Sequence, residues 1–213
     1  MYTKVGIVHA TTMAITPIAE AFQQLSYDIE LVHVMDTGLL PLLQSNKEMT
    51  PYIRRRFLSL ISLVNESDVK CIQLTCSAFN NLVPYMQYYF KPKIFRSDEA
   101  MLDQALFYNN IAIVATVSET PDVLTSYLRN KRNDINIKYF INTDAFNKLK
   151  NGKKEEHDTL IIDLVNNINE DFDVIILAQY ALSDIVPYIS SNITVLSPPF
   201  SSANRCIDYI KEI

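Results

Sequence analysis

One stretch of the chain occurs twice, and the two copies differ at the position best placed for chemistry. Asp68-Val-Lys-Cys-Ile-Gln-Leu-Thr-Cys76-Ser-Ala-Phe-Asn-Asn-Leu-Val-Pro84-Tyr-Met86 aligns without gaps on Asp171-Phe-Asp-Val-Ile-Ile-Leu-Ala-Gln179-Tyr-Ala-Leu-Ser-Asp-Ile-Val-Pro187-Tyr-Ile189, with seven identities that include Ala78/Ala181 and the Val-Pro-Tyr run. Each copy reads as a buried strand, a small polar turn and a helix. A cysteine at such a strand end can give or take a proton, whereas a glutamine cannot titrate in the useful range. Two such units facing each other would make a cleft with Cys76 on one wall and Gln179 on the other. Cys76 is the reactive candidate: it precedes a helix start, where the dipole and free N–H groups lower a thiol's pKa from about 8.5. Cys71, mid-strand, and Cys206, on the last helix, read as buried structural cysteines.

Ligands of open parallel α/β sheets bind at the carboxyl ends of the strands. The residues predicted there are His9, Thr11 and Thr12; Asp36; Thr75, Cys76 and Ser77; Asp98; Thr116, Val117 and Ser118; Gln179 and Tyr180; and Ser197. This small polar lining suits a carboxylate held by neutral donors at helix N-termini. Tyr180, His9 and Asp98 are the options for a second acid or base, against the plainer readings of Tyr180 as a wall aromatic and His9 as a hydrogen-bonding loop histidine. Glu99 reads as a dipole-compensating residue of a helix that runs to Tyr108. Asp36 either meets the substrate or stabilises the turn before Gly38. The Arg54-Arg55-Arg56 run reads as a solvated helix face with one member pointing inward, and Arg54 and Arg55 as residues that reach either the cleft or an oligomer surface.

The elements that must hold these residues alternate between β-rich and helical patterns along the whole chain, the signature of an α/β fold with largely parallel strands. Strands are predicted at Lys4–Val8, Asp28–Val34, Val69–Leu74, Lys93–Arg96, Ile111–Ala115, Ile135–Phe140, Val174–Ala178 and Ile193–Leu196. Thr50-Pro51 supplies an N-cap and a first-turn proline for a helix to about Asn65, with Ile53, Phe57, Leu60, Ile61 and Val64 on its buried stripe. The repeat extends further: Val5–Thr12 resembles Ile111–Ser118, Ile29–Val34 sits in the place of Ile135–Phe140, and Leu60–Asn65 matches Ile161–Asn166. The chain therefore reads as two similar half-domains in tandem. The expected division is a first lobe of residues 1–108 plus 193–213 and a second of residues 109–192, with crossings at Tyr108-Asn-Asn110 and near Ser190–Asn192.

The totals exclude several classes. At 213 residues with 48% apolar content and 20% charge, the chain has the composition of a folded globular protein and not of a disordered one. A net charge of −5 and a pI near 5.2 argue against a nucleic-acid surface. No stretch approaches the roughly 20 apolar residues of a membrane span. The first residues lead into a strand without the pattern of a signal peptide. An odd number of cysteines does not make a disulfide framework, and free thiols fit a reducing, cytoplasmic compartment. None of the three glycines follows a strand in a G-x-G-x-x-G or Walker arrangement, so no nucleotide cofactor is expected. His9, His33 and His157 lack ligand spacing, so no metal is expected either.

Thr75-Cys76-Ser77 after a strand, with its second strand end in the later copy, resembles the aspartate/glutamate/hydantoin racemase superfamily. Further matches run in order along the chain: Val5–Thr12, Asp36 with Leu39-Leu40-Pro41, Thr50-Pro51 with Arg54–Arg56, Asp98-Glu99-Ala100-Met101, Ile113–Thr116, Glu156-His157-Asp158, Leu177-Ala178-Gln179 and Ser197-Pro198. The resemblance implies two Rossmann-like lobes with mainly parallel sheets, related by a pseudo-twofold axis, an active site between them, no cofactor, and a last helix that returns to the first lobe. It also implies a small-molecule carboxylate substrate and a homo-oligomer, dimer or larger. Such racemases place one cysteine on each face of the substrate carbon; Cys76 maps onto the first, and Gln179 stands at the second. Three functions follow as alternatives: a cofactor-independent racemase or isomerase using Cys76, a one-base decarboxylase, lyase or tautomerase with Cys76 as sole donor, and a non-catalytic binder of a small carboxylate.

Overall fold

The computed structural model describes residues 3–25, 28–118, 120–169 and 171–213. In chain order, β1 (Thr3–His9), α1 (Ile15–Leu25), β2 (Ile29–Met35), α2 (Leu39–Asn46), α3 (Pro51–Asn65), β3 (Cys71–Leu74), α4 (Val83–Gln87) and β4 (Lys93–Phe95) build a first sheet of strand order β2-β1-β3-β4. Then α5 (Glu99–Ala105), β5 (Asn110–Ala115), α6 (Thr120–Lys131), β6 (Asn136–Ile141), α7 (Thr143–Lys150), α8 (Lys154–Asn166), β7 (Val174–Leu177), β8 (Thr194–Leu196) and α9 (Pro198–Glu212) build a second, of order β6-β5-β7-β8. Every pairing is parallel. The two halves therefore repeat one topology, and all eight strands read from the sequence are present.

Burial follows strand position. The inner strands β3, β5 and β7 are buried almost throughout, and β1 from Val5 onward. In the second lobe β5 sends Ile111, Ile113 and Ala115 into one core and Ala112 and Val114 into another, so both faces of the sheet are covered by apolar packing. The edge strands β2 and β6 alternate between partly buried and exposed residues instead. In the first lobe α3 starts as its sequence predicts: the Thr50 side chain accepts from the Ile53 amide at 3.3 Å, Pro51 follows, and Ile53, Phe57, Leu60, Ile61 and Val64 are buried. This helix lies so close over β1 that a Cβ on Gly6 would stand 2.5 Å from a Val64 methyl.

The chain forms two compact units, Met1–Glu99 with Ser202–Ile213, and Ala100–Ser201. The predicted boundaries, 1–108 plus 193–213 and 109–192, are thereby corrected at both crossings. Met101, Leu102 and Ala105 of α5 pack with Ile111 and Ile113, so α5 belongs to the second core. β8 pairs with β7 and so stays in the second unit. The greater part of α9 belongs to the first unit, where Cys206 meets Gln73 and Tyr209 packs edge-on against Phe95. The helix opened by Glu99 ends at Ala105, before the predicted Tyr108. No helix among the described residues is long and apolar enough to cross a membrane.

Candidate active site

In the first lobe the strand ends of β3 and β4 lie side by side. Their register pairs Gln73 with Phe95, and three residues further along each chain segment, past both strand ends, stand Cys76 and Asp98. Cys76 is half-buried, in extended backbone at the start of a 3₁₀ helix over Ser77–Leu82. Its sulfur takes a hydrogen bond from the Ala78 amide, which favours the thiolate, but burial outweighs this and the nearby Asp98 carboxylate adds to it, so the thiol's pKa lies above its ordinary value. This reverses the sequence expectation of a lowered pKa. The helix start gives one N–H in a short 3₁₀ turn, and desolvation disfavours the charge by more.

Asp98 is 9% exposed. Burial pushes its carboxyl up to about 6, against the opposing hydrogen bonds from its own amide and from Asn80 and the opposing charge of Arg96; Glu99 adds to the rise. Asn80 holds this corner from both ends of its amide: Nδ2 donates to Asp98 Oδ1 at 2.7 Å, and Oδ1 accepts from the Ser97 amide at 3.0 Å. Gln73 joins the same strands lower down, its Nε2 donating to Leu74 O at 2.7 Å and Arg96 O at 2.9 Å. Cys71 and Cys206 are fully buried, with the Cys206 thiol 3.6 Å from Gln73 Oε1. Neither Asn80 nor Gln73 was singled out from the sequence, because nothing local marks a buried amide that bridges neighbouring strands.

Among the other first-lobe candidates, His9, Thr75 and Asp36 hydrogen-bond to neighbouring protein groups. His9 is 1% exposed and both ring nitrogens have partners, Nδ1 with Thr75 Oγ1 at 3.0 Å and Nε2 with His33 Nδ1 at 2.9 Å. Burial first, and the charge of His33 second, lower its pKa to about 4. Thr75, also buried, donates its hydroxyl to Val8 O at 3.3 Å. His9 and Thr75 thus knit β1 to β3. Asp36 accepts from the Gly38 amide at 2.9 Å and from Arg56 through two bonds, at 2.5 and 2.8 Å. The Arg56 guanidinium is the main cause holding its carboxyl below the usual range. Arg56 is the inward member of the arginine run, while Arg54 caps the Met49 carbonyl. Thr11 is half-buried, and Thr12 and Ser77 are exposed.

In the second lobe Gln179 lies two residues past the end of β7, at the start of a 3₁₀ helix over Tyr180–Tyr188. Its Oε1 accepts from the buried Thr116 amide at 3.2 Å and its Nε2 donates to Thr120 Oγ1 at 3.4 Å. The amide therefore ties the end of β7 to the loop after β5, a role that needs a donor and an acceptor and not a titrating group. Tyr180 and Ser197 are buried, Val117 is half-buried and Ser118 exposed. His157, fully buried on α8, pairs through Nδ1 with Asp158 at 2.7 Å, and its Nε2 has no hydrogen-bond partner. No group of three His, Cys, Asp or Glu side chains among the described residues could hold a metal ion.

No protein-family model matches the sequence, and no curated protein matches it. Solved structures do match in fold. An aspartate racemase from Picrophilus torridus is 14% identical with a TM-score of 0.74, covering 97% of this chain and 93% of that one. An allantoin racemase from Klebsiella pneumoniae is 11% identical with a TM-score of 0.70, covering 99% and 88%. A glutamate racemase from Francisella tularensis, solved with D-glutamate, is 10% identical with a TM-score of 0.69, covering 99% and 81%. The two-lobed parallel α/β architecture of this chain is thus the fold found in aspartate, glutamate and allantoin racemases.

Proposed function

We propose that the chain is a cofactor-independent enzyme of racemase or isomerase type that moves a proton at the carbon next to a carboxylate or carbonyl of a small substrate, of amino-acid or hydantoin type, with Cys76 as an acid/base group. The observation that carries this reading is the Cys76 thiol itself, half-buried at a strand end, with an amide N–H on its sulfur and a buried carboxyl beside it. A thiol of raised pKa is protonated near neutral pH and is ready to donate to a carbanionic or enolate carbon. Its location at the carboxyl end of a parallel sheet, in a racemase fold, supports the same reading.

A second reading, a one-thiol decarboxylase, lyase or tautomerase with Cys76 as sole cysteine donor, is favoured by Gln179. At the position where the repeat would carry a second thiol stands an amide committed to Thr116 and Thr120. One experiment serves both readings. Free amino acids, hydantoins and malonates are incubated with the protein in heavy water, and deuterium at the α-carbon, configuration and loss of CO₂ are followed by NMR. Exchange with inversion supports the racemase, exchange with decarboxylation supports the second reading, and neither with any compound reduces the site to a carboxylate binder.

A further inference from the structure

The second proton-transfer group can be sought within the first lobe, and one residue meets the geometric need. Cys76 and Asp98 stand at equivalent positions past the paired ends of β3 and β4. Neighbouring strands run about 4.8 Å apart, so two side chains at such ends can reach atoms of one small molecule. Asn80, from the 3₁₀ helix that follows Cys76, hydrogen-bonds both the Ser97 amide and the Asp98 carboxylate, fixing that carboxylate against the cysteine's own segment. Proximity is felt electrostatically, since the charge of Asp98 raises the Cys76 pKa.

We propose that Asp98 is the catalytic base that works with Cys76 as the acid, both acting on the same face of the substrate. The inference rests on the reading of Cys76 as a proton-transfer group and takes its tautomerase form over its racemase form. Its consequence is a class of reaction: two groups on one side move a proton between two atoms of a conjugated unit, as in keto–enol tautomerisation, and do not invert a carbon. The fitting substrates are small acids with an oxo group conjugated to the site of proton loss. The Asp98 carboxylate takes the C–H proton, the electron pair shifts into the conjugated system, and the Cys76 S–H bond breaks to protonate the far atom. This leaves Asp98 as the acid and Cys76 as the thiolate. Because the thiol is the weaker acid of the two, the proton on Asp98 then passes to the thiolate and restores the starting state. The charged groups that face Asp98 are Arg96, Glu99 and Cys76, and Glu99 is itself paired with Arg96 at 4.0 Å and Arg205 at 3.9 Å.

The test has a substrate-free arm and a substrate arm, both on the full chain. Iodoacetamide labelling of Cys76, read by mass, is compared in the wild type and Asp98→Asn; asparagine keeps the Oδ1 that accepts from Asn80. Removing the charge beside the thiol should speed labelling about three- to tenfold near neutral pH. An unchanged rate overturns the pairing. With phenylpyruvate and oxaloacetate as probes, the wild type should accelerate ketonisation of the enol, and Asp98→Asn should lower that rate by about 100-fold or more and erase its rise through about pH 6. No acceleration by the wild type, or full activity in Asp98→Asn, overturns the role of Asp98. Inversion of an amino acid as fast as its deuterium exchange overturns same-face transfer while leaving Cys76 in place. Activity that survives Cys76→Ser overturns the underlying reading instead.

Discussion

His9 and Asp98 pull the stability of the first lobe in opposite directions as pH changes, and removing either exposes the other. Burial, with the charge of His33 second, takes His9 from 6.5 to about 4. A pKa depressed on folding contributes stability that is complete above the unfolded value and is lost as the pH falls through the folded one; this interval is worth about 3 kcal/mol. Asp98 is raised from 3.8 to about 6, mainly by burial. Its contribution is complete below the unfolded value and is lost as the pH rises through about 6, again about 3 kcal/mol. Between about pH 6.5 and about pH 4 these two offset each other to within about 1 kcal/mol, and what they leave is the loss on acidification from His33, whose pKa burial also lowers. Asp36, Glu156 and Asp173 have lowered pKa values and act mainly below this window. Urea unfolding followed by circular dichroism across the window reads the balance. On acidification across the window, Asp98→Asn should fall about 3 kcal/mol further than the wild type, His9→Gln should end about 3 kcal/mol above it, and the double variant should track it to within about 1 kcal/mol. If Asp98→Asn and the wild type share one pH dependence, the assignment of buried charge to these two side chains is wrong.

The remaining predictions concern single contacts. Gln179→Ala leaves the buried Thr116 amide without its acceptor and should lower stability by about 1–3 kcal/mol, whereas Thr120→Ala, which removes only the 3.4 Å bond, should change it by less than about 0.5 kcal/mol; equal melting temperatures for the two would contradict the bridging role. Gly6→Ala forces a methyl against Val64 and should cost about 1–3 kcal/mol in a urea titration, with an unaltered midpoint counting against the close packing of α3 on β1. Asn80→Ala removes a hydrogen bond that lowers the Asp98 pKa, so the Asp98 titration, followed by carboxyl NMR, should move upward; a downward move would contradict the Asn80–Asp98 contact.

Much of the fold was legible because inner parallel strands must be apolar on both faces. The run Ile111-Ala-Ile-Val-Ala115 serves two cores at once, and such runs marked the strands and the repeat. The boundaries were not legible. Met101, Leu102 and Ala105 announce an apolar helix face but not which core it enters. The candidate site was legible as a set of strand ends and no further. Whether a polar residue there faces a ligand or a neighbouring strand depends on partners far away in sequence, as His9 with Thr75, Asp36 with Arg56 and Gln179 with Thr116 make plain. The direction of the Cys76 shift failed for the same reason: the helix start is written locally, but the burial of the thiol is a product of tertiary packing.

The central claim is that the Cys76 sulfur transfers the proton. Its most direct measurement is deuterium incorporation from heavy water into a turned-over acid, compared between the wild type and a Cys76→Ser variant whose circular dichroism and melting temperature match. The account predicts that the serine protein loses exchange by about 100-fold or more while keeping its fold. Exchange at the wild-type rate in that variant would contradict it and move the chemistry to another residue.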